Sequence, residues 1–342
     1  MSETAIRPKL VASSTGDRLR KAAPLLLAPV MALAGLIAIA DPATWLTLTV
    51  AGLAMGLMIF IMASGLTVVF GLMDVINFGH GAFVSVGAFV GFTVLAWLTG
   101  WTENPAVMMN LAAVFLAILA AMAVTGVLGL AFERVIVAPV YGHHLKQILV
   151  TMGGLIVAQQ LIHVVWGPDA IHVARPQTLR GSVIVFDAVI EKYRLFAVAI
   201  GLVLFLGMRH MLKSTKVGLL VRAGVENGEM VEALGYRIRR LFLVVFMVGS
   251  ALAGLGGVMW GLYNETITAH MGSELMVLVF IVVIIGGLGS IEGCFIGALL
   301  VGLLSNYMTF LAPKVALVST IALMVGVLMW RPEGLYPVVK AK

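Results

Sequence analysis

Cysteine is almost absent from this chain. Cys294 stands alone among 342 residues, which excludes an internal disulfide and any cysteine-based metal site. It reads as a small packing residue, since free cysteine is readily buried. Charge is scarce as well: Asp, Glu, Lys and Arg make up 11% of the residues, against about a quarter in soluble domains. With 61% hydrophobic residues, the class is a polytopic membrane protein. No glycine-rich loop ending in Lys-Ser or Lys-Thr occurs, so nucleotide hydrolysis must come from another chain. No cluster of His, Asp and Glu on one face supports a membrane enzyme. Beyond Asp74 and Glu292 no acid is read inside the spans, so a proton relay is poorly supplied.

Apolar runs and glycine are what the chain does have. Roughly 17–25 apolar residues make a spanning helix. Ten spans are read, at about 22–40, 45–70, 80–98, 106–132, 147–166, 193–212, 240–263, 273–290, 293–312 and 315–330. The expected fold is all-α, with about ten transmembrane helices, some of them discontinuous. Residues 1–21 read as an N-terminal tail, 22–335 as the membrane domain with a loop at 213–240, and 336–342 as a C-terminal tail. Ala38-Ile39-Ala40 fits a small-x-small cleavage site, but the long basic leader and the closely following Pro42 favour an uncleaved first helix.

Charge sets the expected orientation. With the N-terminus inside, one side holds Arg7, Lys9, Arg18, Arg20, Lys21, Arg134, Lys146, Arg209, Lys213, Lys216, Arg222, Arg237, Arg239, Arg240, Arg331, Lys340 and Lys342. The other holds Arg175, Arg180, Lys192, Arg194 and Lys314, five of the 22 basic residues. Basic residues favour the cytoplasmic side, which predicts both termini inside. On the outside, Gly181 to Ile190 carries β-branched residues around a polar turn and predicts a small hairpin.

Two spans are interrupted. Around Asp74, Asn77 and His80 stand Gly71, Gly79 and Gly81, between apolar flanks. Ile285 to Gly293 repeats the scheme loosely: an apolar helix, a Gly-Leu turn, an acid, a glycine, then a small-residue helix. Broken helices at membrane depth are tolerated only where protein buries them or water reaches them. Paired breaks in corresponding halves point to a transporter's central path. Asn77 offers donors and an acceptor, neutral His80 can do either, and the backbone N–H groups after Gly81 favour a carboxylate. Two roles stay open for Asn77 and His80: direct contact with a zwitterionic solute, or stapling of the broken helix. Asp74 and Glu292 read as paired or solvated near the inner mouth. Gln159, Gln160 and His163 read as a polar stripe facing the bundle interior. Glycines four apart, at Gly52/Gly56, Gly87/Gly91, Gly257/Gly261 and Gly293/Gly297, read as close helix packing.

The internal loop predicts a short amphipathic helix. Asn227 reads as its cap, Glu229 and Glu232 as acids in the early turns, Met230, Val231 and Leu234 as an apolar ridge, and Gly235 as its stop. Such a helix lies on the membrane surface or docks a soluble partner.

The run GLMDVINFGHGAFVSVGA resembles the region around the Asn-Phe-Ala-His-Gly motif of bacterial branched-chain amino-acid ABC permeases. GSVIVFDAVIEKYRL, RAGVENGEMVEALGYRIRR, FMVGSALAGLGGVMWG and IIGGLGSIEGCFIGALLVG resemble that family in the same order, over about residues 46–335. The resemblance implies a type II-like importer permease in the bacterial inner membrane, without catalysis or cofactor of its own. It implies a second homologous permease subunit, two ATP-binding subunits and a periplasmic solute-binding protein as partners. It places a substrate pathway at Asn77, His80, Gly81, Ser85, Gly286, Gly287, Gly289 and Ser290. It places the ATPase coupling contact at Arg222, Glu229, Met230, Glu232, Ala233, Leu234 and Gly235. Gly79 departs from the motif's alanine, and Gly224 and Gly228 stand where the family often has helix formers. Hydrophobic amino acids are the expected cargo. Alternatives are urea, short amides or aromatic acids, or, from another class, an ion-coupled secondary transporter acting alone.

Overall fold

The computed structural model describes residues 15–336, with side chains from residue 23 onward except those at 217, 222 and 225–228. Of the two tails read from the sequence, residues 1–14 and 337–342 lie outside that range, and residues 15–21 already belong to the first helix. The helices are α1 (Thr15–Ile39), α2 (Pro42–Met73), α3 (His80–Trp97), α4 (Thr99–Thr102), α5 (Val107–Phe132) and α6 (His144–Trp166). They continue as α7 (Lys192–Ser214), α8 (Lys216–Ala233), α9 (Ile238–Asn264), α10 (Met271–Gly286), α11 (Ile291–Leu311) and α12 (Ala316–Trp330). Among the described residues, eight helices are long and apolar enough to cross a membrane; Ala23–Ile39 and Met271–Gly286 are shorter apolar helices. The eighth run of the sequence, read to residue 290, stops at Gly286 because Gly287 turns the chain at φ +94°.

α2 occupies the centre, and its residues from Leu57 to Leu66 are all buried. It packs against α7, α9, α10 and α11, while α3 and α5 lie on the other side of α9. A helix apolar all round suits a bundle whose surroundings are themselves apolar. The peripheral helices present Val164, Val203, Leu317 and Met329 outward, as a lipid-facing belt requires. The glycine pairs read as packing faces are such faces: Gly52 and Gly56 meet α11, Gly87 and Gly91 meet α9, and Gly293 and Gly297 meet α10. Cys294 is fully buried among them.

The loops gather at two ends. One end holds the strands β1 (Ile171–His172), β2 (Ser182–Val185), β3 (Ala188–Glu191) and β4 (Thr266–Ile267). β2 and β3 pair antiparallel, with Val183 opposite Ile190, where the β-branched run predicts a hairpin. β1 pairs with β4, a contact with no local signal in the sequence. Arg175 clasps this end together. Its guanidinium donates to the carbonyls of Leu262 (2.7 Å) and Tyr263 (2.6 Å) and pairs with Glu191 (2.9 Å) and Glu265 (3.0 Å). Nearby, Arg180 forks onto Glu103 and holds that carboxyl below its usual range. Arg175→Ala strands partly buried carbonyls and carboxylates and lowers stability by about 3 kcal/mol. Thermal unfolding in detergent measures it, and Arg175→Lys recovers little, because an ammonium cannot reproduce the fork.

Candidate functional site

α2 ends at Met73, where Asp74 takes a left-handed conformation (φ +51°) and closes on the carbonyl of Phe70. The chain then turns back into the bundle, and α3 starts well inside it. His80 Nε2 donates to the carbonyl of Met62 at 2.9 Å. Met62 lies eleven residues before Met73, about 16 Å along the axis at the helical rise. The carbonyl can only accept, so Nε2 carries the proton. Within the re-entering segment, Phe78 N–H donates to Thr151 Oγ1 (3.2 Å), and its ring lies 4.8 Å from that of Phe280. Asn77 is buried, and its Oδ1 has no hydrogen-bond partner among the described residues.

The second break abuts the first. Gly287 and Gly289 both take positive φ, and Ser290 caps α11 by accepting from Gly293 N–H at 3.1 Å. A Cβ on Gly71 would sit 2.6 Å from Gly289 Cα, so the two interrupted helices touch where only glycine fits. The starts of α3 and α10 also touch, Gly81 against the carbonyl of Gly272. Ser85 Oγ locks them, donating to Ala269 O (2.9 Å) and accepting from Gly272 N–H (3.0 Å). Leu335 and Tyr336 return to this point, their N–H groups donating to the carbonyls of Ile285 and Gly286.

Asn77, His80, Gly81 and Ser85 thus lie buried inside the chain, as do Gly286 and Gly287, while Gly289 and Ser290 are part-exposed. The backbone donors of His80 and Ala82 are taken by Asn77 O and Gly79 O. In this arrangement His80, Gly81 and Ser85 hold helices together. Asp74 is exposed, 3.9 Å from His144. Glu292 pairs with Lys213 (2.5 Å) and Arg209 (3.3 Å), which ties α7 to the second break. Of the polar stripe on α6, Gln159 faces inward and donates to Ser273 Oγ (3.1 Å), whereas Gln160 is exposed: one helical step of 100° separates them.

The internal loop corrects its sequence reading. α8 is a continuous helix of 18 residues capped by Thr215, whose Oγ1 accepts from Gly218 N–H at 3.2 Å. Asn227 lies within it and not at its start, because Thr215 offers an earlier cap and α8 is supported where Gly224 fits against Leu72 of α2. The ridge divides: Val231 is 3% exposed, Met230 57% and Leu234 70%. Gly235 does stop the helix, at φ +86° with open space around it. Glu229, Glu232 and Ala233 are exposed beside Leu234, and a depression lined by Glu232, Tyr236, Arg237, Arg239 and Arg240 adjoins them. The side chain of Arg222 lies outside the described residues.

Two acids were passed over in the sequence. Glu133, at the end of α5, is buried and accepts from the Tyr141 hydroxyl; burial, then this carboxylate, pushes the phenol above its usual range. Glu274 lies in the first turn of α10, inside a run read as a span free of acids, and is exposed. Its signal was a lone charge at the head of an apolar stretch. Elsewhere, a cleft of about 790 Å³ between α3, α5 and α6 is walled by apolar side chains such as Phe83, Phe132, Leu161 and Trp166. It offers no partner for the charges of a zwitterion.

The sequence profile described as "Branched-chain amino acid transport system / permease component" matches residues 48–328. The chain is similar to the high-affinity branched-chain amino acid transport permease protein BraD of Pseudomonas aeruginosa, 27% identical over 83% of this chain and 93% of that one. It is equally similar to the permease protein LivH of Escherichia coli, 27% identical over 83% and 92%. A shorter stretch, 26% of each chain, is 32% identical to a probable branched-chain permease protein LivM of Methanocaldococcus jannaschii. No solved structure matches the chain. With broken helices meeting inside a bundle of apolar spans and a profile match over most of its length, this chain belongs to the family of branched-chain amino acid transport permease components.

Proposed function

We propose that this chain forms one half of the translocation path of an ATP-driven importer for branched-chain or other hydrophobic amino acids. The second half is a homologous permease, a reading supported by the partial likeness to a protein named LivM. Two ATP-binding subunits dock on the end that carries α8, and a periplasmic binding protein delivers solute at the hairpin end. The excess of basic residues in the segments assigned to the α8 side supports a cytoplasmic placement of that side and of both termini.

One observation carries the coupling role: α8 and the end of α7 just ahead of it contact the segments at both helix breaks. Gly224 seats α8 on Leu72, two residues before Asp74. Lys213 and Arg209, just ahead of α8, hold Glu292 at the start of α11. A partner that shifts Leu234 and Gly235 on closing around ATP therefore moves the segments where α2–α3 and α10–α11 are interrupted. Rocking of these segments about the central bundle alternates access between the two sides.

Purified alone, the chain hydrolyses no ATP and moves no leucine in vesicles. Assembled with a second permease, ATP-binding subunits and a leucine-loaded binding protein, it takes up leucine only with ATP. Gradient-driven uptake by this chain alone overturns the reading in favour of a secondary transporter.

A further inference from the structure

With Asn77, His80 and Ser85 buried at the first break, a group of this chain that faces the route of a zwitterion must lie elsewhere. Glu274 is such a group. Its helix, α10, begins against the first turn of α3 through the Gly81–Gly272 contact and the Ser85 hydroxyl. That same turn of α3 is fixed to Met62, about 16 Å inside the end of α2. Glu274 is therefore placed deep within the height of the bundle, and not at either loop end. It is exposed, and among the described residues no ion pair reaches it. A carboxylate held against lipid at that depth is strongly unfavourable, so polar intramembrane groups face a wet cavity or another chain.

Its surroundings are polar on one side and apolar on the other. His270, one turn before it, is exposed, and its ring lies 5.6 Å from that of His163 on α6. Gln159 Nε2 donates to Ser273 Oγ, which donates to His270 O at 2.6 Å, so a hydrogen-bonded strip runs from α6 to α10. Three residues beyond Glu274, on the same helical face, Val277 is 57% exposed.

We infer that Glu274 receives the α-ammonium group of the amino acid in transit, with Val277 beside it for the aliphatic side chain. This inference rests on the importer reading above and names the residue through which this chain touches its cargo.

The test uses the complete transporter in proteoliposomes with leucine as the probe. Glu274→Gln reduces leucine uptake about tenfold or more, the loss expected for a charge-assisted contact. Assembly and the ATP hydrolysis stimulated by loaded binding protein persist, and Glu274→Asp retains most of the uptake. In parallel, Glu274→Cys reacts with a membrane-impermeant cationic thiol reagent, while Val203→Cys on the outer face of α7 does not; buried Cys294 stays silent. Wild-type uptake by Glu274→Gln overturns the inference. So does loss of stimulated hydrolysis together with uptake, or a Glu274→Cys thiol that only lipid-soluble reagents reach. Should the wild-type assembly itself take up no leucine, the importer reading fails, and the thiol reactivity still reports whether Glu274 lines a wet path.

Discussion

Leucine uptake falls at least thirtyfold, by order of magnitude about 2 kcal/mol of lost contact, in a transporter carrying Leu234→Asp. The chain remains in the membrane at its normal level. The physical reason is the position of Leu234, 70% exposed at the end of α8, beyond the apolar spans and among the acids Glu229 and Glu232. An aliphatic side chain in that setting contributes nothing to the chain's own core. In the proposed docking it enters a groove of the partner, where a carboxylate would lose its hydration. Gly235→Val acts through the backbone instead. No atom lies within 4 Å of its Cβ position, so there is no clash, but φ +86° is strained for a β-branched residue. The strain re-aims Tyr236 and the α8 terminus, and uptake falls with it. Uptake assays alongside membrane immunodetection check both variants. Normal transport by the pair would leave the end of α8 without a docking role.

Gly257→Val has the largest expected effect on the fold. A Cβ at this position falls on the carbonyl oxygen of Val84, backbone against backbone, so no side chain can give way. α3 must separate from α9, and the buried contacts around Val84, Ala88 and Val258 open with it. Overpacking of this kind costs about 3 kcal/mol or more. The expected result is little folded protein in detergent extracts and an early unfolding transition in what remains. Gly207→Ala is the control. Gly207 on α7 has nothing within 4 Å of its Cβ position, and removing a helical glycine stabilises by about 1 kcal/mol. Similar behaviour of the two variants would show that α3 and α9 are not held at glycine distance.

How far the sequence could be read varies with the range of the forces involved. The helices at 80–98, 106–132 and 193–212 were legible because each is a local run of apolar residues that must satisfy its own backbone in a membrane. The hairpin at Ser182–Glu191 was legible from alternation. The end of α8 at Gly235 was legible because a helix stop is a local event. Its start was not: Asn227 looked like a cap, and only the packing of Gly224 on Leu72 shows why the helix runs through it. The same limit hid the meaning of Asn77 and His80. Their types allowed solute contact or stapling, with stapling preferred, and for His80 the geometry that favours stapling comes from Met62, far back on another helix. Glu274 was overlooked because it heads a long apolar run, and its exposure is set by which neighbours α10 has.

By itself the amino-acid sequence determined the membrane class, most of the apolar helices, the two interruptions and the uneven spread of basic residues along the chain. Each follows from the free energy of placing local polar or apolar groups in or out of hydrocarbon, which needs no knowledge of neighbours. The tertiary structure alone decided that the two interruptions meet at Gly71 and Gly289, that His80 and Ser85 are sealed between helices, and that Glu274 is not. Those facts depend on which helix faces lie within van der Waals reach across hundreds of residues of chain, a choice settled by close packing of the whole bundle.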